Sequence, residues 1–237
     1  MNSQYVRHFN RAMIAVALAM LSILILGQPV SHADTQDTPV IFVNDRVGSM
    51  TLHGTNLFWK TNCGDEFAAE RSRLRRTDSR GSGGTQQTLY FPSGCPTNRI
   101  ASANVAVDND STYWLTGDGK LVSLPRAATN DTPTLIVQTG MTSIIGEPSC
   151  CWIAVDNDYI YWNENRRIMR RAKSGGPTRR MLTAAGEVRD LRARGDGALF
   201  YRDGHQLKLV FPVGTGFGNA LVSGGVTDYA LNDDRVF

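Results

Sequence analysis

The chain carries little of what chemistry usually requires. Of its four histidines, His8 and His32 fall within the first 33 residues, which leaves His53 and His205 beyond them. No G-x-S-x-G stretch occurs, so a Ser-His-acid hydrolase lacks its nucleophile turn. "GTGFGN" at 214–219 does not satisfy G-x-G-x-x-G, and both it and "GSGG" at 81–84 sit where a turn between strands is expected rather than a phosphate cradle. Cysteine occurs four times and never as C-x-x-C, against the spacing of a zinc site. Past residue 33 there is no second long apolar run, so nothing there reads as a membrane-spanning helix.

What is present begins with the leader. Arg7 and Arg11 precede the apolar run "AMIAVALAMLSILILG", and "SHA" at 31–33 supplies small residues at the last and third-last positions before a cut. Residues 1–33 therefore read as a secretory signal peptide, with an uncleaved anchor as the alternative. Removing them leaves 23 basic against 22 acidic residues, a balance that gives no global argument for nucleic acid. An even number of cysteines in an exported chain favours disulfides.

Residues 34–237 are organised by repetition. "VAVDNDSTYW" at 105–114 returns as "IAVDNDYIYW" at 153–162. Aligned on an aromatic pair, Phe58-Trp59, Tyr113-Trp114, Tyr161-Trp162, Phe200-Tyr201 and a final Phe237 follow one another at steps of 55, 48, 39 and 37 residues. A degenerate period of about forty residues suits propeller blades of four strands. Short segments rich in Val, Ile, Tyr and Trp, divided by Gly, Asn and Asp, exclude the helical arrays of similar period. In the third unit "WIAV", "YIYW", "RRIMRRA" and "TRRMLT" are predicted strands, with "DND" and "KSGGP" as turns. The fourth unit runs "RDLRA", "ALFYR", "QLKLV", "ALVS". The fold class is all-β: a β-propeller of four-stranded antiparallel blades at about 46–92, 100–138, 151–184 and 188–223, with a partial fifth at 227–237.

The stretch "IAVDNDYIYWNE…RIMRRAKSGG" resembles the YWTD-type blades of low-density lipoprotein receptor relatives and of many secreted bacterial proteins. The resemblance rests on a hydrophobic-Ala-Val-Asp strand, an aromatic pair and a basic-apolar third strand, over most of 40–237. It implies a propeller used mainly to bind partners, usually of six blades, so this chain reads as a fragment of such a ring or an open arc. "VIFVN" at 40–44 is a candidate closing strand. The Thr-Asp of the motif helps tie blades together in that family. Here Lys60-Thr61, Leu115-Thr116, Asn163-Glu164 and Arg202-Asp203 stand in its place, which leaves those ties without their usual residues.

Propeller connectivity puts the links from strand two to three, and from one blade to the next, on a single face. Cys63, Cys95, Cys150 and Cys151 all fall in such links, and Cys63–Cys95 is the first pairing expected, although four cysteines allow three connectivities. The insertion around 62–70 breaks the repeat on that face, and Asp65, Glu66, Phe67 and Glu70 are candidate partner-surface residues, with a disulfide-pinned insertion as the plain alternative. Basic third strands (Arg71, Arg73, Arg75 and Arg76; Arg166, Arg167, Arg170 and Arg171, then Lys173, Arg179 and Arg180) read either as a patch for anionic polymers or as charges that discourage edge pairing. The acidic turns "DND", "DND" and "NDD" read as hairpin turns using positive φ and side-chain-to-backbone bonds rather than calcium sites. "RGD" at 194–196 falls in the matching turn of unit four, and the aromatic pairs read as packing between blades rather than a sugar-stacking surface.

The function expected is a secreted, non-catalytic propeller scaffold that binds a protein or glycan at the cell surface. It would act as a monomer, without cofactor or metal, without nucleic acid, and not integral to the membrane once the leader is cut. The alternatives are a propeller hydrolase or lactonase with a channel metal, and a fragment without activity.

Overall fold

The computed structural model describes residues 47–61, 73–78, 86–91, 100–129, 131–141, 151–211, 219–222, 224–227 and 229, all within the compact unit Ile41–Phe237. Among them the regular elements are all strands, grouped in four antiparallel sheets of four. The first blade is β1 (Val47–His53), β2 (Asn56–Thr61), β3 (Leu74–Asp78) and β4 (Gln87–Tyr90). The second is β5 (Ala106–Val107), β6 (Ser111–Leu115), β7 (Lys120–Pro125) and β8 (Thr134–Gln138). The third is β9 (Ile153–Val155), β10 (Tyr159–Glu164), β11 (Arg167–Ala172) and β12 (Arg179–Thr183). The fourth is β13 (Val188–Ala193), β14 (Leu199–Asp203), β15 (Gln206–Val210) and β16 (Asn219–Val222). Within every sheet each strand lies beside its sequence neighbour, the meander of a propeller blade.

The repeat's aromatic pair explains how blades stack. Successive residues of a strand point to opposite faces, so the two aromatics of one second strand serve two different interfaces. Trp114 meets Tyr90 of the first blade with ring centroids 5.1 Å apart. Trp162 belongs to the same core cluster as Val105 and Tyr113 of the second blade. Tyr161 packs instead with Leu191, Leu199 and Tyr201, between the third and fourth blades. Phe200 turns to the far side of the fourth blade, where it is covered with Ala198 and Leu207 by Tyr229. Trp59, Trp114, Trp162 and Tyr161 are all 0 % exposed, and rings of this size contribute most of what each interface gains from burial. The pairs are packing, as their recurrence implies.

The acidic turns are structural as well, by a route that differs from expectation. Asp108 Oδ1 accepts from the N–H groups of Asp110 (2.8 Å) and Ser111 (2.7 Å), while Oδ2 accepts the Tyr113 hydroxyl at 2.9 Å. Asp156 repeats the set with Asp158, Tyr159 and Tyr161, at 2.8, 2.7 and 2.6 Å. Among the described residues, however, the non-glycine residues with positive φ are Asn165 (55°) and Asp190 (52°), not the aspartates of these turns. The carboxylate closes the turn as an Asx bond with ordinary backbone, so the expected left-handed residue is unnecessary. Burial, followed by the hydrogen bond to Asp108 and its charge, raises the Tyr113 hydroxyl well above its ordinary range; burial, followed by the hydrogen bond to Asp156 and its charge, does so for Tyr161.

Of the partial fifth unit, Thr227 and Tyr229 are described and neither lies in a strand; its remaining residues fall outside the described set. Tyr229 donates its hydroxyl to the carbonyl of Asp190, and the Arg192 guanidinium sits 5.2 Å from its ring centroid.

Candidate functional site

Four inner strands lie in order, β1 against β5, β5 against β9 and β9 against β13. They wall a central concavity of about 610 Å³, formed by 49–52, 104–107, 152–155 and 190–193 with Arg202 and Thr227. Its walls are knitted by side chains. Thr51 Oγ1 donates to the Val105 carbonyl at 2.6 Å. Asn104 works in both directions, donating from Nδ2 to the Ile153 carbonyl (2.7 Å) and accepting the Ile153 N–H at Oδ1 (2.9 Å). A single side-chain amide thus imitates a backbone rung between two blades. Asn104→Ala is expected to lower stability by about 1–3 kcal/mol, because it leaves the Ile153 N–H and C=O without these partners. Asn104→Asp should be no milder, since it keeps the acceptor but loses the donor; equilibrium urea unfolding of both variants checks this.

The fourth blade breaks the pattern of the wall. "LRARGD" at 191–196 occupies the place of "VAVDND" and "IAVDND", so Arg192 stands where Ala106 and Ala154 stand. Asp190 precedes it with φ 52°, at a register shift between Arg189 and Arg192. A non-glycine residue in this region of backbone space inside a bulged strand is a local strain that the surroundings must hold. Arg192 Nε reaches Asp190 Oδ1 at 3.0 Å, with the aspartate side chain 5 % and the arginine side chain 41 % exposed. Arg202 donates to the carbonyls of Val226 and Thr227. The concavity is therefore apolar toward β5 and β9 and carries guanidinium groups at β13 and β14. The departure was visible in the aligned repeats, yet sequence reading passed it over in favour of the loops.

Two of the residues that close second strands, Glu164 and Asp203, tie blades. Glu164 Oε1 accepts the N–H of Gly140, in the connection that leaves the second blade, at 3.2 Å, and the Trp162 indole N–H at 3.1 Å. Asp203 accepts the N–H groups of Gly186 (2.6 Å) and Ala185 (3.2 Å), in the connection that leaves the third blade, and Lys208 Nζ at 2.6 Å. Glycine is needed at 186: a Cβ there would stand 2.6 Å from Asp203 Oδ1. A further tie joins Lys173 to Asp108 at 2.5 Å across the second and third blades. The carboxyls of Asp108 and Asp203 would be raised by burial alone. Lys173 with the turn amides, and Lys208 with the Gly186 and Ala185 amides, hold them below the ordinary carboxylate range.

The other candidates fall as follows. Asp65, Glu66, Phe67, Glu70, Arg71, Cys63, Cys95 and Cys150, and the acidic turn at 232–234, lie outside the described residues. Cys151 is fully buried, with Sγ 3.5 Å from Met141 Sδ, and its carbonyl accepts the Ala103 N–H at 2.6 Å. In the "RGD" turn, Arg194 closes on Asp196 through two bonds of 3.0 and 2.6 Å. Both charges are thereby occupied within the turn, and the Arg194 hydrogen bond lowers the Asp196 carboxyl. His53 Nε2 lies 3.1 Å from Asn109 Oδ1 and His205 is exposed. Among the described residues no group of three His, Cys, Asp or Glu is placed to hold a metal ion.

Four meandering blades around a shared concavity define the class: this chain is a β-propeller. No protein-family profile matches it, and no curated protein does. Among solved structures, the WD40 β-propeller domain of Doa1 aligns with a TM-score of 0.53 at 11% identity, covering 81% of this chain and 61% of that one. Virginiamycin B lyase from Staphylococcus aureus aligns at 0.49 with 11% identity, over 73% of this chain and 54% of that one. BamB from Moraxella catarrhalis gives 0.46 and 13%, over 67% and 41%. At such identities the likeness is one of fold, and the chain spans roughly half the length of these structures.

Proposed function

We propose that this chain is an exported propeller scaffold that binds a protein or glycan at the cell surface and carries out no reaction of its own. The observation that carries the reading is the central concavity, walled by a repeating frame whose fourth blade puts Arg192 where the second and third have Ala106 and Ala154. A frame that repeats serves stability; a site shows itself where the repeat is broken. Among the described residues the carboxylate that lines the concavity, Asp190, is paired with Arg192, while Asp108 and Asp156 close turns and Glu164 and Asp203 hold blade connections. The leader and the even cysteine count support export, with Cys63 bridged to Cys95. The carboxylate ties at Glu164 and Asp203 support kinship with YWTD-type blades, the Thr-Asp function being met by an acid alone.

The test is a glycan array and a panel of secreted and envelope proteins probed with the secreted chain, alongside ester and lactone turnover with and without chelator. Saturable binding that Arg192→Ala weakens, with no turnover, is the expected result. Turnover abolished by chelation would overturn it in favour of a channel-metal hydrolase.

A further inference from the structure

The central concavity is lined by groups whose hydrogen bonds the fold leaves unmade. Buried polar side chains normally find a partner, and one that does not is a cost the fold carries. Ser49 Oγ, the Trp152 indole N–H and Arg202 Nε are each shut off from solvent without a hydrogen-bond partner among the described residues. All three residues belong to the wall of this one cavity. They come from three different blades, on β1, just before β9 and on β14, so no single local irregularity accounts for them. What they share is the cavity.

Charge and apolar surface are divided along that wall. Its charged residues are Asp190, Arg192 and Arg202, two guanidinium groups against one carboxylate. Arg192 Nε meets Asp190 at 3.0 Å, so that pair is balanced within the wall. Arg202 has no ion pair with a described residue. Its Nη1 donates to the carbonyls of Val226 and Thr227, which hold the guanidinium without cancelling its charge. Its cross-strand partner, Arg189, is a cation as well and is taken by Glu187 at 2.6 Å. At the other end of the wall, Met50 and Leu52 are 60 % and 62 % exposed. Alternation puts both on the face of β1 opposite to Thr51, whose hydroxyl reaches the second blade, so that blade does not cover them. Half-buried Val155 and Ala193 extend the apolar lining.

We infer that the concavity binds the C-terminal tail of a partner protein, with an apolar last residue and its free carboxylate directed to Arg202. A terminal carboxylate brings one negative charge and acceptor oxygens, which match the one surplus guanidinium and the unmatched donors. The apolar side chain gains by burial against Met50 and Leu52. A sugar would set many hydroxyls against aliphatic walls, where they would go unpaired. A volume of about 610 Å³ is that of a small-ligand site, room for a tail rather than for a globular surface. The assignment rests on the scaffold reading above and names the part of the partner that it holds.

The test measures, by fluorescence polarisation, binding of the secreted chain to a library of labelled peptides that vary in their last two residues, each made as the free acid and as the C-terminal amide. Wild type is expected to select Leu, Ile, Val or Phe at the last position, and amidation should weaken binding about tenfold or more. Arg202→Gln should bring the free acid down to the affinity of the amide and leave the amide within about twofold, a coupling that a merely structural role would not produce. Leu52→Ser should weaken acid and amide alike. Arg180→Gln, an equal charge change at an exposed site on β12, should leave both within about twofold. The comparison of acid with amide is made on wild type, so a variant that fails to fold does not shelter the inference. Binding of no peptide, amidation without effect, or equal weakening of both forms by Arg202→Gln overturns it. A wild type that binds oligogalacturonate or a neutral glycan but no peptide also overturns it and leaves the scaffold reading standing; turnover abolished by chelation removes both.

Discussion

Replacing Trp162 by alanine is expected to lower the stability of the domain by about 3–5 kcal/mol, the range for emptying a fully buried aromatic site. The ring is 0 % exposed and packs in the cluster that joins the second and third blades. Its indole N–H also satisfies Glu164 Oε1, the oxygen that accepts the Gly140 N–H. One truncation therefore opens a cavity at an interface and weakens the bond that ties the preceding connection to the third blade. Because repeat units are stabilised mainly through their neighbours, the loss should appear as a broadened or two-step urea transition as well as a lower midpoint. Trp162→Phe, which keeps most of the volume and loses the donor, should recover more than half of the loss. A single, unshifted transition for the alanine variant would contradict this account of blade coupling.

Asp203→Ala should have an effect of similar size by a different mechanism. Its side chain is 5 % exposed and its carboxylate receives two backbone N–H groups and Lys208. Removing one side of a buried, hydrogen-bonded ion pair costs about 3–5 kcal/mol, mostly because the partners are left unpaired. Asp203→Asn keeps the shape and one acceptor, so a loss nearer 1.5–3 kcal/mol is expected, that of charge-assisted bonds. The pH dependence follows from the direction of the shift. Burial acts to raise this carboxyl, but Lys208 and the Gly186 and Ala185 amides lower it further, so its folded value lies below the ordinary one. The stability it contributes is complete above the unfolded-state value of about 3.9 and is lost as pH falls through the folded value. Tm measured from pH 6 down to 2.5 should drop more steeply in wild type than in Asp203→Asn. Parallel curves would show that this carboxylate is not a main source of the acid sensitivity.

Much of the frame was legible because its signals are local. Alternation and Gly, Asn and Asp breakers put a strand at 206–210, where β15 lies, and another at 166–172, where β11 spans Arg167–Ala172. The Asp-led turns were legible too, since an Asx bond reaches only two or three residues. Their backbone was misread: Asp108 and Asp156 close the turn through the side chain, so the left-handed conformation was not required. Contacts between blades were not legible. Asn104 meets Ile153, Lys173 meets Asp108 and Glu164 meets Gly140, and spacing in the chain says nothing about which of many polar side chains comes within 3 Å of another. The departure at Arg192 lay between these cases, plain in the aligned repeats but without meaning until the inner strands were seen to share a wall.

The sequence by itself determined an all-β repeat of four-stranded units, because period-two patterning, aromatic pairs and turn residues act over a few positions and recur. Tertiary structure decided which carboxylates tie connections rather than stand free, and that the "RGD" arginine is held by its own aspartate. It also placed Arg202 and Trp152 on the wall of one concavity. Those outcomes depend on strand register and on the stacking of one blade against the next, and both arise only when distant segments compete for the same buried space.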